Sequence, residues 1–145
     1  MISTGNPRID AQRAFDHAVR AARRHTLIAR LRRGCRRECM RLKVLDSAAR
    51  RPSFTAGVRE IPLEQITATL EPSRARQFDA RFRPSGKATR VRWERLWVAH
   101  QQGEPLPPIA VVWTACGYAV LDGHHRISVA RARGAATIDA VVTTA

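Results

Sequence analysis

The sequence predicts an α+β fold, in which a small mixed sheet with flanking helices follows a long Arg-rich N-terminal helical segment. Between positions 8 and 49 there is no proline and one glycine, and apolar residues recur at helical spacing. Beyond position 58, short β-branched runs alternate with amphipathic stretches. Hydrophobic residues make up 44% of the 145 residues, close to the norm for globular domains, which excludes a wholly disordered chain.

The first predicted element is a basic helix. Its apolar stripe consists of residues at helical spacing: Phe15, Ala18, Val19, Ala22, Leu27, Ile28, Leu31, Cys35, Cys39 and Leu42. This spacing predicts one long helix, or two helices broken near His25 or Gly34, with an Arg-rich outer face. We therefore divide the chain into a basic helical extension at 1–51, a linker at 52–57 and a domain at 58–145.

The predicted domain supplies the sheet and its flanking helices. Strands are expected where β-branched and apolar residues run together, at 58–61, 109–114, 118–121 and 137–142. Residues 115–117 are expected to form a hairpin turn. A helical turn is predicted at 63–66, a long loop at 71–86, and helices at 89–102 and 123–133, each ended by a glycine.

The charge balance favours a polyanionic partner. Lysine and arginine total 26 against 12 acidic residues, which gives a net charge of +14. Residues 1–51 carry 14 basic and 4 acidic residues, so most of this excess lies on the predicted basic helix. We expect that helix to offer a non-specific DNA surface. A GC-rich coding sequence, which would also enrich arginine, is the alternative explanation of this excess.

Nothing in the sequence predicts a membrane or secreted protein. No apolar run approaches the ~20 residues that a membrane-spanning helix needs, and the first residues lack the apolar core of a secretory signal. Three cysteines are too few for a disulfide framework. We expect a cytoplasmic protein without a membrane partner.

Two other motifs have structural interpretations. Cys35 and Cys39 lack a second Cys or His pair, so we expect core packing and no structural metal. Trp93 and Trp97 lie four residues apart among arginines. Packing of one helix face is expected more than base stacking, because this spacing is typical of a buried stripe.

The segment Asp122-Gly123-His124-His125-Arg126 is the strongest candidate site. A predicted strand ends here and a helix begins, so free backbone amides and the helix dipole favour an anion. Arg126 can grip a phosphate with two parallel donors, and the histidines can donate or carry protons. Asp122 can hold a histidine tautomer, cap the helix or bind a metal. In the structural alternative, Asp122 is only a cap and the histidines are surface donors.

These residues carry a resemblance. Residues 61–142 resemble the ParB/sulfiredoxin-like domain through Ile61-Pro62-Leu63, Phe78-Asp79, Leu106-Pro107-Pro108-Ile109, Gly117-Tyr118 and Gly123-x-x-Arg126. The Asp-Gly-His-His-Arg form is similar to small stand-alone ParB-like proteins. The resemblance implies a ParB/sulfiredoxin-like sheet and a phosphate site at Gly123, His124, His125 and Arg126.

The resemblance also limits the expected activity. In sulfiredoxin a cysteine nucleophile stands where this chain has His124, so sulfinic-acid repair is not expected. Partition ParB binds CTP with a Gly-Glu-Arg-Arg motif, of which Gly123 and Arg126 match. The chain ends soon after the last predicted strand, so a complete chromosome-partition protein is not expected. The free-serine kinase that shares this motif type implies Asp122, His125 and Glu71 as catalytic residues.

Our leading hypothesis is a ParB-like module that binds a nucleotide phosphate, DNA or both. The nucleotide is CTP, ATP or ADP with Mg²⁺, Asp122 is the candidate metal ligand, and Arg74 and Arg76 are second phosphate clamps. With Arg81 and Arg83 they form either a basic lid or a solvated loop. The alternatives are a phosphotransferase or nuclease acting through Asp122, His125 and Glu71, and an interaction protein with a vestigial site. Formation of a homo-oligomer stays open.

Overall fold

The computed structural model describes residues 2–33, 41–46 and 54–144. Its helices are α1 (Pro7–Arg33), α2 (Pro72–Ala75), α3 (Arg90–Gln101) and α4 (His124–Ala132). Its strands are β1 (Lys43–Val44), β2 (Phe54–Pro62), β3 (Ile66–Thr69), β4 (Ile109–Thr114), β5 (Gly117–Asp122) and β6 (Thr137–Thr144). Two 3₁₀ turns occupy Leu63–Gln65 and Lys87–Thr89. The predicted α+β class with a small mixed sheet and flanking helices is confirmed.

The six strands form one sheet in the order β1-β3-β5-β4-β6-β2. β3 pairs with β5 and β4 with β6 in parallel, whereas β4 and β5 form an antiparallel hairpin. The tight turn of that hairpin requires Gly117, whose φ is +112° and whose Cβ, if present, would lie 2.6 Å from the Gln65 carbonyl oxygen. Because β5 is an interior strand, its carboxyl end lies between neighbouring strands and helices.

The predicted pairing of Trp93 with Trp97 serves packing. The two rings stack with centroids 5.4 Å apart, and Phe15 of α1 meets Trp93 edge-on at 5.5 Å. Trp93 is completely buried, and its indole N–H donates to Ser128 Oγ at 2.8 Å. This aromatic cluster joins α1 to α3 and α4, so base stacking on Trp93 is excluded.

The predicted basic helix does not include all of its apolar stripe. In the described residues α1 covers Pro7–Arg33, whereas Leu42, predicted on its stripe, is buried just before β1. Within α1 the later residues of the stripe are not buried: Leu27 is 58% exposed and Leu31 79% exposed. The periodicity predicted one continuous apolar face, but only the first half of α1 packs this face against the domain. Gly34, Cys35 and Cys39 lie outside the described residues.

The prediction from sequence was wrong about one strand of the sheet and missed two others. Phe54–Gly57, expected in a linker, form the start of β2, which pairs antiparallel with β6. On one side of β5 the sheet continues through β3 to the edge strand β1, and the sequence predicted neither β3 nor β1. The expected loop at 71–86 contains the single-turn helix α2. None of the helices in the described ranges has the length and apolar character needed to cross a bilayer.

Candidate functional site

The chain reverses at Gly123, between β5 and α4. Gly123 has φ +107° and ψ 19°, in the left-handed region that favours glycine. A Cβ on Gly123 would lie 2.4 Å from Ile109 Cγ2 and 2.8 Å from Ile109 Cβ. Since Ile109 is completely buried in β4, the sheet fixes where α4 can begin. The junction predicted from sequence is therefore present.

The first turn of α4 leaves backbone amides available. Gly123 is the N-cap, and no side chain caps this helix. The first main-chain bond of the helix runs from the Ile127 N–H to the Gly123 carbonyl, at 3.0 Å. The N–H groups of the three preceding residues point out of the helix end, where its dipole is positive.

Asp122 does not cap α4. Its Oδ2 accepts a hydrogen bond from Arg126 Nη2 at 2.8 Å, and its side chain is 72% exposed. The proposed cap is therefore wrong, because a charged partner one helical turn away holds the carboxylate. Asp122 remains accessible from solvent at the rim of the junction.

Arg126 is held by the protein itself. Its Nη1 donates to the carbonyl oxygens of Pro107 (2.6 Å) and Pro108 (2.7 Å), and its side chain is only 12% exposed. Its Nη2 donates to Asp122, so three of its five N–H groups form hydrogen bonds. The guanidinium group of Arg126, expected to bind a phosphate, instead holds the segment that leads into β4. Arg126 is a positioning residue for the junction.

The two histidines are buried and neutral. His124 and His125 are 4% and 7% exposed, so their interpretation as surface donors is wrong. Burial lowers the pKa of His124 to about 4, with Arg74 as the next cause. Burial also lowers the pKa of His125 to about 4, helped by Arg92 and Arg74. Both imidazoles are therefore uncharged at neutral pH.

The sheet and the loop after α2 hold the imidazoles in place. His124 Nε2 lies 2.7 Å from the Thr69 hydroxyl, which also accepts the Glu71 N–H at 2.9 Å. Phe78 contacts His125 edge-on with ring centroids 5.2 Å apart. Thr69 was not a sequence candidate, because nothing local links the end of β3 to residue 124.

A cavity of about 160 Å³ opens at this junction, which we call the junction cavity. It is lined by Arg74, Arg92, Leu96, Pro107, Asp122, Gly123, His124, His125 and Arg126. Arg92 is a functional candidate that the sequence missed. A signal was present, since Arg92 and Leu96 lie four residues apart and each precedes a tryptophan of the buried stripe.

Other predicted site residues lie elsewhere. Arg76 lines a second cavity, next to α1, and Arg81 and Arg83 line a third, between α1 and α4. The predicted basic lid therefore does not close over the junction cavity, although Arg74 does line it. Glu71 is absent from the lining of the junction cavity and contacts the site through its backbone amide. In the described parts of the chain, no three His, Cys, Asp or Glu side chains are grouped to hold a metal ion.

Comparison with known proteins finds a structural similarity to a sulfiredoxin. No protein-family model matches the chain, and no curated protein matches it. Among solved structures, sulfiredoxin from Arabidopsis thaliana is 23% identical, with a TM-score of 0.45. The matched region covers 61% of this chain and 85% of the sulfiredoxin chain. This likeness concerns the fold and carries nothing about activity.

Proposed function

We propose that the protein binds the phosphate of a nucleotide in the junction cavity. The observation that carries this proposal is the convergence of Arg74, Arg92 and the uncapped start of α4 on one cavity. The only carboxylate of the lining, Asp122, is already paired with Arg126. A cavity with two guanidiniums, free amides and one neutralised carboxylate favours an anion.

The size of the junction cavity favours a phosphate group rather than a whole nucleotide. Its volume of about 160 Å³ is below the range of roughly 300–1,000 Å³ typical of pockets that enclose a drug-sized ligand. The sugar and base would lie outside it, so CTP, ATP and ADP all remain candidate ligands. Asp122 Oδ2 is bonded to Arg126, so its other oxygen, Oδ1, would hold a magnesium ion carried by the nucleotide, which would neutralise phosphate charge when bound.

The same geometry supports binding rather than catalysis. Phosphoryl transfer needs a base near the attacking hydroxyl and stabilisation of the transferring group. His125 lies in the lining as a neutral imidazole that can accept a proton. However, Asp122 is held by Arg126 and the Glu71 side chain is outside the lining, so the expected pair of acidic catalytic residues is not assembled.

Calorimetric titration with ADP, ATP and CTP in the presence of Mg²⁺ tests this proposal. Arg92→Gln should weaken nucleotide binding roughly 10-fold or more, because a charge-assisted hydrogen bond contributes about 1.5–3 kcal/mol. Arg95→Gln is the matched control, since it removes the same charge from α3 but does not line the junction cavity. Absence of binding by the wild-type protein, or equal losses in both variants, would contradict the proposal.

A second candidate function is binding to the phosphate backbone of nucleic acid. A cavity of about 430 Å³ lies between α1 and the segment around α2, and we call it the arginine cavity. It is lined by four arginines: Arg23, Arg30, Arg41 and Arg76. Within the described residues none of the four forms an ion pair, and the carboxylate in the lining, Asp79, is paired with Arg83 at 2.8 Å. This unneutralised charge supports the DNA surface expected on α1.

The salt dependence of DNA binding tests this second function. With a labelled duplex of random sequence, the double variant Arg23→Gln, Arg30→Gln should reduce the slope of log affinity against log salt by about two. The control removes two arginines from the other end of α1, Arg8→Gln with Arg13→Gln. If the two double variants reduce the slope equally, DNA binding depends on the net charge of the protein, and the arginine cavity is not the binding surface.

A further inference from the structure

A third cavity, of about 690 Å³, lies between α1 and α4, and we call it the alanine cavity. Alanine is the commonest residue of its wall, with six members: Ala14, Ala18, Ala21, Ala132, Ala135 and Ala136. Because their side chains end at Cβ, the two helices leave an open groove. The volume lies within the range of about 300–1,000 Å³ that is typical of small-molecule sites. No residue of the wall is shared with the junction cavity.

The charged residues of the alanine cavity are mostly cationic. Arg81, Arg83 and Arg131 line it, together with His17 and one carboxylate, that of Glu64. The carboxylate paired with Arg83 belongs to Asp79, which is outside the wall. An uncharged ligand would leave this excess of positive charge unbalanced.

Arg131 is the central member of this group. Its Nη2 donates to the carbonyl oxygens of Leu63 (2.6 Å) and Ile66 (3.1 Å), and its guanidinium lies 5.3 Å from the centre of the Phe82 ring. Burial lowers the pKa of Arg131. In the described part of the protein no carboxylate forms an ion pair with it.

Two guanidinium N–H groups beside the cavity lack an acceptor. Arg131 Nε and Arg83 Nη2 are buried and have no hydrogen-bond partner among the described residues. A buried guanidinium N–H without an acceptor is costly, and an anionic acceptor brought close to it offsets part of that cost. The arginine end of the alanine cavity is thus electrostatically complementary to a negative group.

We propose that the alanine cavity binds a small organic anion, with its apolar body against the alanine wall and its negative group near Arg81, Arg83 and Arg131. The chemical class is an apolar carboxylate, sulfonate or phosphate ester. Burial of the apolar surface of the ligand supplies affinity in such a site, and the arginines select for a negatively charged ligand. The site is independent of phosphate binding at the junction cavity.

Paired fluorescent probes test the proposal on the full chain. Anilinonaphthalene sulfonate has an apolar body with one negative group, and phenylnaphthylamine has a similar body without it. The wild-type protein should bind the sulfonate saturably and at least 10-fold more tightly than the uncharged probe. Equal affinity for the two probes would overturn the proposal.

Variants locate the probe. Arg81→Gln should weaken sulfonate binding by 10-fold or more and leave the uncharged probe unaffected, because the Arg81 side chain is exposed and its loss spares the core. Ala132→Leu should weaken both probes by narrowing the groove. Near-ultraviolet circular dichroism confirms that each variant is folded. If Arg92→Gln weakens the sulfonate and Arg81→Gln does not, the probe occupies the junction cavity and the proposal fails.

Discussion

Gly123→Ala is expected to destabilise the protein by about 3–5 kcal/mol, since overpacking of a core and a left-handed backbone at a non-glycine residue add together. The new Cβ would meet Ile109 Cγ2 at 2.4 Å while the residue holds φ +107°. Ile109 is completely buried and cannot move aside. This loss is a large part of the roughly 5–15 kcal/mol that stabilises a small domain. Urea unfolding measures it.

Gly103→Ala separates the two causes of this loss. Gly103 also has a positive φ, +72°, but a Cβ there would meet nothing within 4 Å. The Gly103→Ala substitution should therefore lower the free energy of unfolding by only about 1 kcal/mol, because it strains the backbone conformation alone. If both substitutions cost the same, Ile109 does not crowd the junction and the start of α4 is not fixed by β4. Nucleotide affinity should fall with Gly123→Ala and remain unchanged with Gly103→Ala.

The junction was predictable because its signals are local. A short apolar run, an Asp-Gly step and an amphipathic stretch follow one another along the chain, and the structure has β5, Gly123 and α4 in that order. The β4–β5 hairpin was predictable for the same reason. By contrast, β1 and β3 have two and four residues, so they carry too little periodicity to be recognised without their partners.

The roles of the arginines depended on long-range contacts. Arg74 and Arg76 are two residues apart, but Arg74, in the single turn of α2, lines the junction cavity, whereas Arg76, directly after that turn, lines the arginine cavity. The donors of Arg126 are taken by carbonyls 18 and 19 residues earlier in the chain. Residue type made these side chains candidate anion ligands, but only the tertiary structure shows which of their donors are already bonded within the protein.

The buried histidines should make the protein sensitive to mild acid. Their pKa of about 4 in the folded protein is below the ordinary value of 6.5, so the unfolded chain binds protons first as the pH falls. Stability is therefore complete above pH 6.5 and is lost as the pH falls toward 4. Between pH 6.5 and 5 the free energy of unfolding should fall by about 1 kcal/mol per pH unit for each histidine. Urea unfolding over this interval checks the slope.

Arg74→Gln provides a test that keeps both imidazoles. Arg74 is among the charges that lower the pKa of His124 and His125, so its removal should reduce the loss of stability in acid. Arg95→Gln, which is not among the causes of either shift, should retain the wild-type slope. Carboxylates contribute little in this interval, since ordinary Asp and Glu titrate at about 4. An unfolding free energy that is constant from pH 6.5 to 5 would mean that the imidazoles are hydrated in solution, and the junction cavity would then be too open to hold a phosphate as proposed.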